Sequence, residues 1–538
     1  MATLPDANTN PWYVLMTLYG EQKTGGYDRT LAENNRRVWN AWACQNWNKE
    51  RRDLVFSNPN SDSSGAAGWS KIEADVKRLH KAEMEKRSSG NGSFAYCGFP
   101  DKNAKIDCSG IKFVCPLALT STIFQQSVDF SGAHFEDEVI FFGSNFLGGG
   151  NFRSAAFKSG AVFCDVDFQR AAEFRLSTFK GSASFRQGRF SHFADFRDVT
   201  AFAGADFAGA EFKLRADFRK SFWGGHANFN EAKFLNIAIF ENASFQDIST
   251  FAKVNFDKFV DFSGATFLKD VVFGSASFTG NTNFANAKFT QSANFQSTEF
   301  GGSTKFKEAQ FGKLDSDEIS VPDFTEASFA KVVSFRGAEF VSHYPVLEGT
   351  QFREGVVLSA KAAFWPVAGK GATDLDESET ELAKESCAAL RHALAKQGMP
   401  EEEHFFFRRE MGFAAQIGGV WQRLPYQVFG AVSDFGQSIW RPAVGLLALW
   451  AIGALLYTVS YAWGAFDDGQ QPREILFGFG LSFANIFKFL GLQRSYFDVA
   501  FTQSLNPWLQ VMGGVQTVVG FLLLFFLGLG LRTRFRMR

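Results

Sequence analysis

The stretch Phe262-Ser-Gly-Ala-Thr-Phe267-Leu-Lys-Asp-Val-Val-Phe273 contains one full unit of a repeat that occupies the middle of this 538-residue chain. Its phenylalanines stand five and then six residues apart, and the same alternation continues in both directions. One series holds Phe at seventeen consecutive positions, eleven residues apart, from position 130 to position 306. The second series, from position 135 to position 311, departs from Phe only at Ala201 and Trp223. The repeat explains why the chain contains 66 Phe but only 12 Trp and 9 Tyr.

The register extends beyond these two series. Upstream and downstream it continues through Cys108, Phe113, Leu119, Phe124, Phe324, Phe329, Phe335 and Phe340. An acidic insertion at 315–318 separates the downstream part, and the whole array covers about residues 108–358. At Ala201 the pattern predicts either a cavity or replacement of the missing ring by the neighbouring Phe202.

The spacing excludes an α-helix and a flat strand. In a helix a five-residue step turns by about 140°, so the two Phe series would lie on different faces. The Gly, Ser, Asp, Asn and Thr between the phenylalanines also disfavour helix interiors. In a flat strand an odd step places successive side chains on opposite faces. A chain that turns a corner between one Phe and the next directs every Phe inward, which predicts a solenoid of short stacked β-segments.

The stretch Ala205-Asp206-Phe207-Ala208-Gly209, followed by Ala210-Glu211-Phe212, resembles the A(D/N)(L/F)XX unit of pentapeptide-repeat proteins. The position two before Phe is small here as in that family, for example at Val128, Ala133, Val139, Ala155, Ala161 and Ala172. The resemblance implies a mainly β fold, a right-handed quadrilateral β-helix with Phe inside. The family's usual unit has five residues throughout, so the alternation of five and six predicts sides of unequal length.

Two apolar segments near the C-terminal end are long enough to cross a bilayer. The predicted spans are residues 442–466, which carry no charge, and residues 511–531. An amphipathic or re-entrant segment, 475–492, lies between them and carries only Lys488 as a charged residue. Aromatic residues near the predicted span ends are typical of interfacial belts: Trp440, Tyr461, Trp463 and Trp508.

Arginines flank the two predicted spans. They are Arg423 and Arg441 before the first span, and Arg532, Arg534, Arg536 and Arg538 after the second. The loop between the spans mixes both signs of charge, so the positive-inside rule places both chain ends in the cytoplasm. The N-terminus carries no secretory signal. We therefore expect a multi-pass protein of the bacterial inner membrane, with the lipid bilayer as one partner.

A stripe of small and polar residues follows one face of the second span. Gly513, Gln516, Thr517 and Gly520 recur at i, i+3, i+4 and i+7 on an otherwise lipid-like helix. Such a stripe either packs against another helix or lines a pore.

The order of two spans with a semi-apolar segment between them resembles two-helix ion channels, and some pentapeptide-repeat proteins carry a similar C-terminal segment. The candidate pore-loop residues are Lys488, Gln493 and Arg494. No TVGYG-like filter is present, and the two cationic side chains would repel permeant cations unless they point away.

The remaining regions are predicted to be helical. Residues 1–95 contain helix candidates at 31–47 and 71–86, and form either a cap on the solenoid or a recognition surface around Asn34-Asn35-Arg36 and Trp39-Asn40. Residues 97–366 are assigned to the solenoid. Residues 372–420 form a helical pair that we expect to cap the other end of the solenoid, and residues 421–538 form the membrane domain.

Nothing in the sequence suggests an enzyme. The 7 His and 6 Cys contain no HExxH, no CxxC and no pair at metal-ligand spacing, so we predict no metal and no cofactor. With 55 Lys and Arg against 56 Asp and Glu, neither nucleic-acid binding nor acidic DNA mimicry is expected.

Two functions remain open. The first is a membrane-anchored scaffold whose cytoplasmic rod binds an unidentified protein partner. The second is a homo-oligomeric two-helix channel or pore, self-associated through the membrane domain and gated by the repeat domain.

Overall fold

The computed structural model describes residues 4–48, 50–51, 68–88, 96, 98–312, 320–366, 377–462, 477–497 and 505–536. The chain forms two compact units, Met1–Val367 and Ala368–Arg538. Several features of the sequence lie outside the described residues: the acidic insertion at 315–318, the loop at 57–67, Trp463, and the charged residues between the predicted spans at 467–474 and 498.

The first unit is built around a β-solenoid of parallel strands, as the Phe register predicts. Its first coil contains the strands Ile106–Asp107, Lys112–Phe113, Leu117–Ala118 and Ile123–Phe124. In each sheet the next strand lies 22 residues further on, 29 across the insertion and 23 in the last coil, as the pairings Ile106–Val128, Ala293–Pro322 and Ser328–Gln351 show. The last strands are Gln351–Phe352 and Val356–Leu358. The described residues form four sheets of 12, 11, 10 and 11 strands, or about 11 coils.

The interior of the solenoid is a filled aromatic core. Phe207, Phe229 and Phe251 come from successive coils, and their ring centroids are 4.8 Å apart with nearly parallel planes. Neighbouring columns meet edge to face, since Phe229 lies 5.5 Å from both Phe218 and Phe240. Burying one Phe contributes about 1.5–3 kcal/mol, and each aromatic pair adds about 0.5–1.5 kcal/mol. The stacked rings therefore stabilise each coil through its two neighbours.

The alternation of five and six residues corresponds to two kinds of corner. Each five-residue step contains a tight turn with one residue in the left-handed region, such as Gly132 at φ 65°, and the turn is closed by a hydrogen bond from Ala133 N to Phe130 O. The six-residue step makes a wider bend instead. The Asp of the repeat unit serves the tight turn, because Asp206 Oδ1 accepts a hydrogen bond of 2.9 Å from Ala208 N.

The missing ring at Ala201 is compensated from the next coil. Ala201 is fully buried and pairs in register with Trp223, whose larger indole meets Phe207 edge to face at 5.9 Å. Phe202 is 54% exposed and lies against Phe222 on the outer surface. The predicted replacement by Phe202 is therefore wrong, because an odd step of one residue turns that side chain outward.

Among the residues that the structure describes, the helices α1 (Pro11–Met16), α2 (Arg29–Ala43) and α3 (Trp69–Ser88) precede the solenoid. They cap its first coil. Trp39 Nε1 on α2 donates to Ile123 O at 2.8 Å, and Asn40 bonds to Ser121 O at 3.0 Å and to Ile123 N at 2.9 Å. These bonds satisfy strand groups that the open end of the solenoid would otherwise leave unpaired.

An aromatic residue from outside the register, Trp365, packs on the C-terminal end of the solenoid. Trp365 follows a 3₁₀ turn, Ala362–Phe364, and stacks on Phe340 with ring centroids 4.7 Å apart. Its Nε1 donates to Ser359 O at 2.9 Å. The indole thus continues the Phe column by one ring beyond the last repeat.

The second unit is helical. Its elements are α4 (Glu377–Lys396), α5 (Pro400–Ala414), α6 (Val420–Ser433), α7 (Trp440–Ala462), α8 (Phe477–Ile486), α9 (Leu492–Tyr496) and α10 (Pro507–Arg536). Helices α4 and α5 form the predicted pair, held in part by Arg391 Nε and Glu410 Oε2 at 2.6 Å. That this pair caps the solenoid stays a prediction. Helices α7 and α10 are long and apolar enough to cross a membrane.

Candidate functional site in the C-terminal helices

Helices α7 and α10 pack against each other in opposite directions. Glycines on α7 permit the close approach: a methyl group on Gly445 would lie 3.1 Å from Leu523 Cδ2, and one on Gly453 would lie 2.3 Å from Gln516 Nε2. The two helices are therefore antiparallel. Close contact at small residues is typical of helix pairs in membranes.

The short helix α8 covers the junction of α7 and α10 and is joined to both by buried polar groups. Ser482 Oγ donates to Trp450 O on α7 at 2.8 Å. Gln516 Nε2 on α10 donates to Ser482 Oγ at 2.5 Å and to Leu449 O at 3.3 Å. One serine thereby links all three helices.

One helical turn further along α8, Asn485 repeats this arrangement. Asn485 Nδ2 donates to the Tyr457 hydroxyl at 2.9 Å, and Thr517 Oγ1 donates to Asn485 O at 2.9 Å. Gln493 Nε2, from α9, donates to Asn485 Oδ1 at 3.2 Å. We call these residues the polar contact set: Tyr457, Ser482, Asn485, Gln493, Gln516 and Thr517.

The predicted stripe on α10 lies against α8. Gln516 and Thr517 belong to the polar contact set, and a methyl group on Gly513 would lie 3.3 Å from Asn485 Nδ2. A methyl group on Gly520 would lie 3.1 Å from Ile486 Cγ2. In the single chain all four stripe residues therefore contact other helices.

The three candidate pore-loop residues separate in the structure. Gln493 joins the polar contact set, whereas Lys488 and Arg494 are exposed. Ser482, Asn485 and Tyr457 complete the set and were not singled out from the sequence. The sequence does indicate them, since uncharged polar side chains inside apolar segments often mark contacts within a membrane bundle.

On the solenoid surface, arginines surround a buried carboxylate. The Asp217 carboxylate is buried, and Arg215 Nη2 and Arg219 Nη2 each lie 2.8 Å from its Oδ2. Arg197 binds the neighbouring Asp195 at 2.6 Å, and this hydrogen bond raises the pKa of the Arg197 guanidinium. Each of these side chains takes part in an ion pair, and Arg197 also lies 4.0 Å from Asp217 of the next coil, so the cluster joins adjacent coils. Among the described residues, no group of three or more His, Cys, Asp or Glu side chains could hold a metal ion.

The comparison with protein families agrees with the parallel coils and the Phe core. The family described as pentapeptide repeats matches residues 251–298, with nine copies of the repeat. The solenoid is a pentapeptide-repeat domain. The comparisons with curated proteins and with solved structures gave no match.

The N-terminal cap of the pentapeptide-repeat domain contains the predicted recognition surface around Asn34-Asn35-Arg36 and Trp39-Asn40. Trp39 and Asn40 are buried against the first coil, and Asn35 is buried with its side chain bonded to Tyr19 N at 2.8 Å. Of the residues proposed, Asn34 is exposed. Trp39 and Asn40 therefore close the end of the pentapeptide-repeat domain, and recognition through the remaining residues Asn34 and Arg36 stays a prediction.

Proposed function

We propose that the protein is a membrane-anchored scaffold. Helices α7 and α10 cross the inner membrane with both chain ends in the cytoplasm, and the pentapeptide-repeat domain presents its outer faces to a protein partner. The observation that carries this proposal is the distribution of polarity on α10. Between residues 511 and 526 its exposed side chains are apolar, and its two polar side chains, Gln516 and Thr517, bond to α7 and α8. The large exposed residues of this stretch are Val511, Val515, Val518, Val519, Phe521, Leu522 and Phe525.

This distribution is what a lipid environment requires. A polar side chain without a partner is costly in hydrocarbon, so it must find its hydrogen bonds inside the protein. Gln516 Nε2 and Thr517 Oγ1 donate hydrogen bonds to acceptors on α8, and the outward residues of α7, such as Leu447 and Leu455, are apolar. The two helices thus have the surface of a membrane anchor.

The pentapeptide-repeat domain supports the scaffold part of the proposal. Its interior is filled by Phe rings, so a partner would be bound on its outer faces. Those faces display columns of strand residues that repeat at each coil, such as Asp167, Arg189 and Glu211, which pair in register on one sheet. Regular columns of this kind suit an extended protein surface rather than a small ligand.

Alkaline extraction tests the anchor. Membranes that contain the full chain are washed with carbonate at high pH, and we expect the chain to stay in the membrane fraction. Replacing Leu447 and Phe521 by Asp should release it, because each charge near a span centre costs about 2.5–3.5 kcal/mol on insertion scales. The matched control places Asp at the exposed Leu176 and Phe202 of the solenoid and should leave the extraction unchanged. Release of the unaltered chain would overturn the proposal.

A channel or pore is the second candidate, favoured by the polar groups that α7, α8 and α10 hold inside an apolar bundle. Two spans cannot enclose a path, so this function requires a closed homo-oligomer, in which Lys488 and Arg494 would belong to the pore loop. The mass of the protein in lipid nanodiscs separates the two candidates. A single chain per disc supports the scaffold, and a fixed oligomer supports the channel.

A further inference from the structure

Helix α6 has an apolar face that the described residues of its unit leave exposed. Val420, Trp421, Leu424 and Val428 recur at i, i+1, i+4 and i+8, so they share one side of the helix. All four are exposed, Trp421 by 85% and Val420 by 77%. In water an aromatic and three aliphatic side chains on one face would be costly.

The opposite side of α6 is fixed to the membrane helices. Phe429 stacks on Phe526 of α10 with ring centroids 5.5 Å apart. Arg441, at the start of α7, donates from Nη1 to Gly430 O at 2.8 Å. The apolar face of α6 is therefore held in a defined orientation, turned away from α10.

These contacts also show which end of the two spans α6 lies near. Phe526 lies six residues before Arg532, which corresponds to about 9 Å along the helix. After α6 ends, a methyl group on Gly436 would lie 3.0 Å from Leu529 Cδ2, and α7 then begins at the exposed Trp440. Helix α6 thus lies at the arginine-bearing ends of α7 and α10, where a span meets the aqueous phase.

We propose that the exposed face of α6 lies in the interface of the bilayer, with its side chains among the first acyl carbons and beside anionic phospholipid headgroups. The inference rests on the proposed membrane anchor. It adds a contact between α6 and the membrane surface to the contacts that the two spanning helices make with lipid. One feature favours lipid as the occupant. Arg441, Arg532 and Arg534 are exposed at the ends of α7 and α10 that the C-terminal end of α6 contacts, where they are cationic partners for headgroup phosphates.

Depth-dependent fluorescence quenching tests this placement. The full chain, with its native cysteines replaced, carries one environment-sensitive label at Trp421→Cys, at Gln422→Cys on the opposite side of α6, or at Leu447→Cys on α7. Each protein is reconstituted into nanodiscs that contain phosphatidylglycerol with brominated acyl chains. An interfacial helix lies about 5–10 Å into the headgroup boundary, so brominated lipid should quench at least about half of the fluorescence at 421 and far less at 422. Aqueous iodide should give the reverse order.

Each outcome is decisive. If Leu447→Cys is quenched by brominated lipid but Trp421→Cys is quenched only by iodide, the membrane anchor holds and the interfacial placement of α6 is wrong. If position 421 is shielded from both quenchers, a protein surface such as a second copy covers α6, which also overturns the proposal. If Leu447→Cys is not quenched by lipid, the membrane anchor itself fails and the inference fails with it.

Discussion

Replacing Phe229 by Ala should weaken the solenoid locally and strongly. Phe229 is fully buried, stacks on Phe207 and Phe251 at 4.8 Å and meets Phe218 and Phe240 edge to face at 5.5 Å. The substitution removes the transfer free energy of the ring and leaves a cavity that rigid flanking coils cannot close. Buried Phe→Ala changes cost about 3–5 kcal/mol, and the loss of five ring contacts, including one to Trp223, places this one at the upper end.

Hydrogen exchange followed by mass spectrometry measures this cost coil by coil. In a solenoid each coil contacts only its neighbours, so the loss of protection should be confined to the coils between Phe207 and Phe251. Peptides around Phe130 should exchange as in the unaltered chain.

Phe202→Ala is the matched control for Phe229→Ala. It is the same chemical change one coil away, at a side chain that is half exposed on the outer surface. Surface substitutions of this kind usually change stability by about 0.5 kcal/mol or less. Equal effects of Phe229→Ala and Phe202→Ala, or an effect spread evenly over all coils, would refute the view that stacked inward rings hold the coils together.

Three further predictions concern the first unit. Ala201→Phe should destabilise its coil by about 1–3 kcal/mol because the added ring meets the Trp223 indole. Adding the second substitution Trp223→Phe should restore most of this loss. Thermal unfolding of the single and the double variant tests this, and equal melting temperatures would contradict it. Burial lowers the pKa of His80 below its ordinary value of 6.5, so the unfolded state takes up the proton first as the pH falls. Exchange protection of α3 should therefore be full above about pH 6.5 and decline below it, and His80→Gln should abolish this dependence; an unchanged pH profile in the variant would assign the effect elsewhere. Asn40→Ala leaves Ser121 O and Ile123 N without their side-chain partners, so protection of the first coil should fall by about 1–3 kcal/mol while the coil around Phe229 is unaffected.

The solenoid could be predicted from the sequence because each coil repeats the same local rule. A five- or six-residue step with Phe inward is visible in one chain without any knowledge of distant contacts. The role of Ala201 could not be predicted, because it depends on Trp223, which is 22 residues away and adjacent only once the coils stack. Trp365 was missed for the same reason, since a single indole outside the register carries no periodic signal.

The C-terminal helices were predictable in part. The stripe from Gly513 to Gly520 was found because its members share one helix and one spacing. Their partners Ser482 and Asn485 lie on a different helix, so only the tertiary packing brings them together. Helix α6 was not predicted as a separate element, because Pro425 and Gly430 interrupt its apolar pattern and both residues ordinarily disfavour helix interiors.

The most direct test of the account is the current through a planar bilayer that contains the full-length protein. The scaffold account predicts no unitary currents across the accessible voltages, and a Gln516→Leu variant that differs only in stability, because Gln516 joins α10 to α7 and α8 inside one chain. Unitary currents whose amplitude or selectivity changes in Gln516→Leu would contradict the account and assign the stripe on α10 to a conducting path.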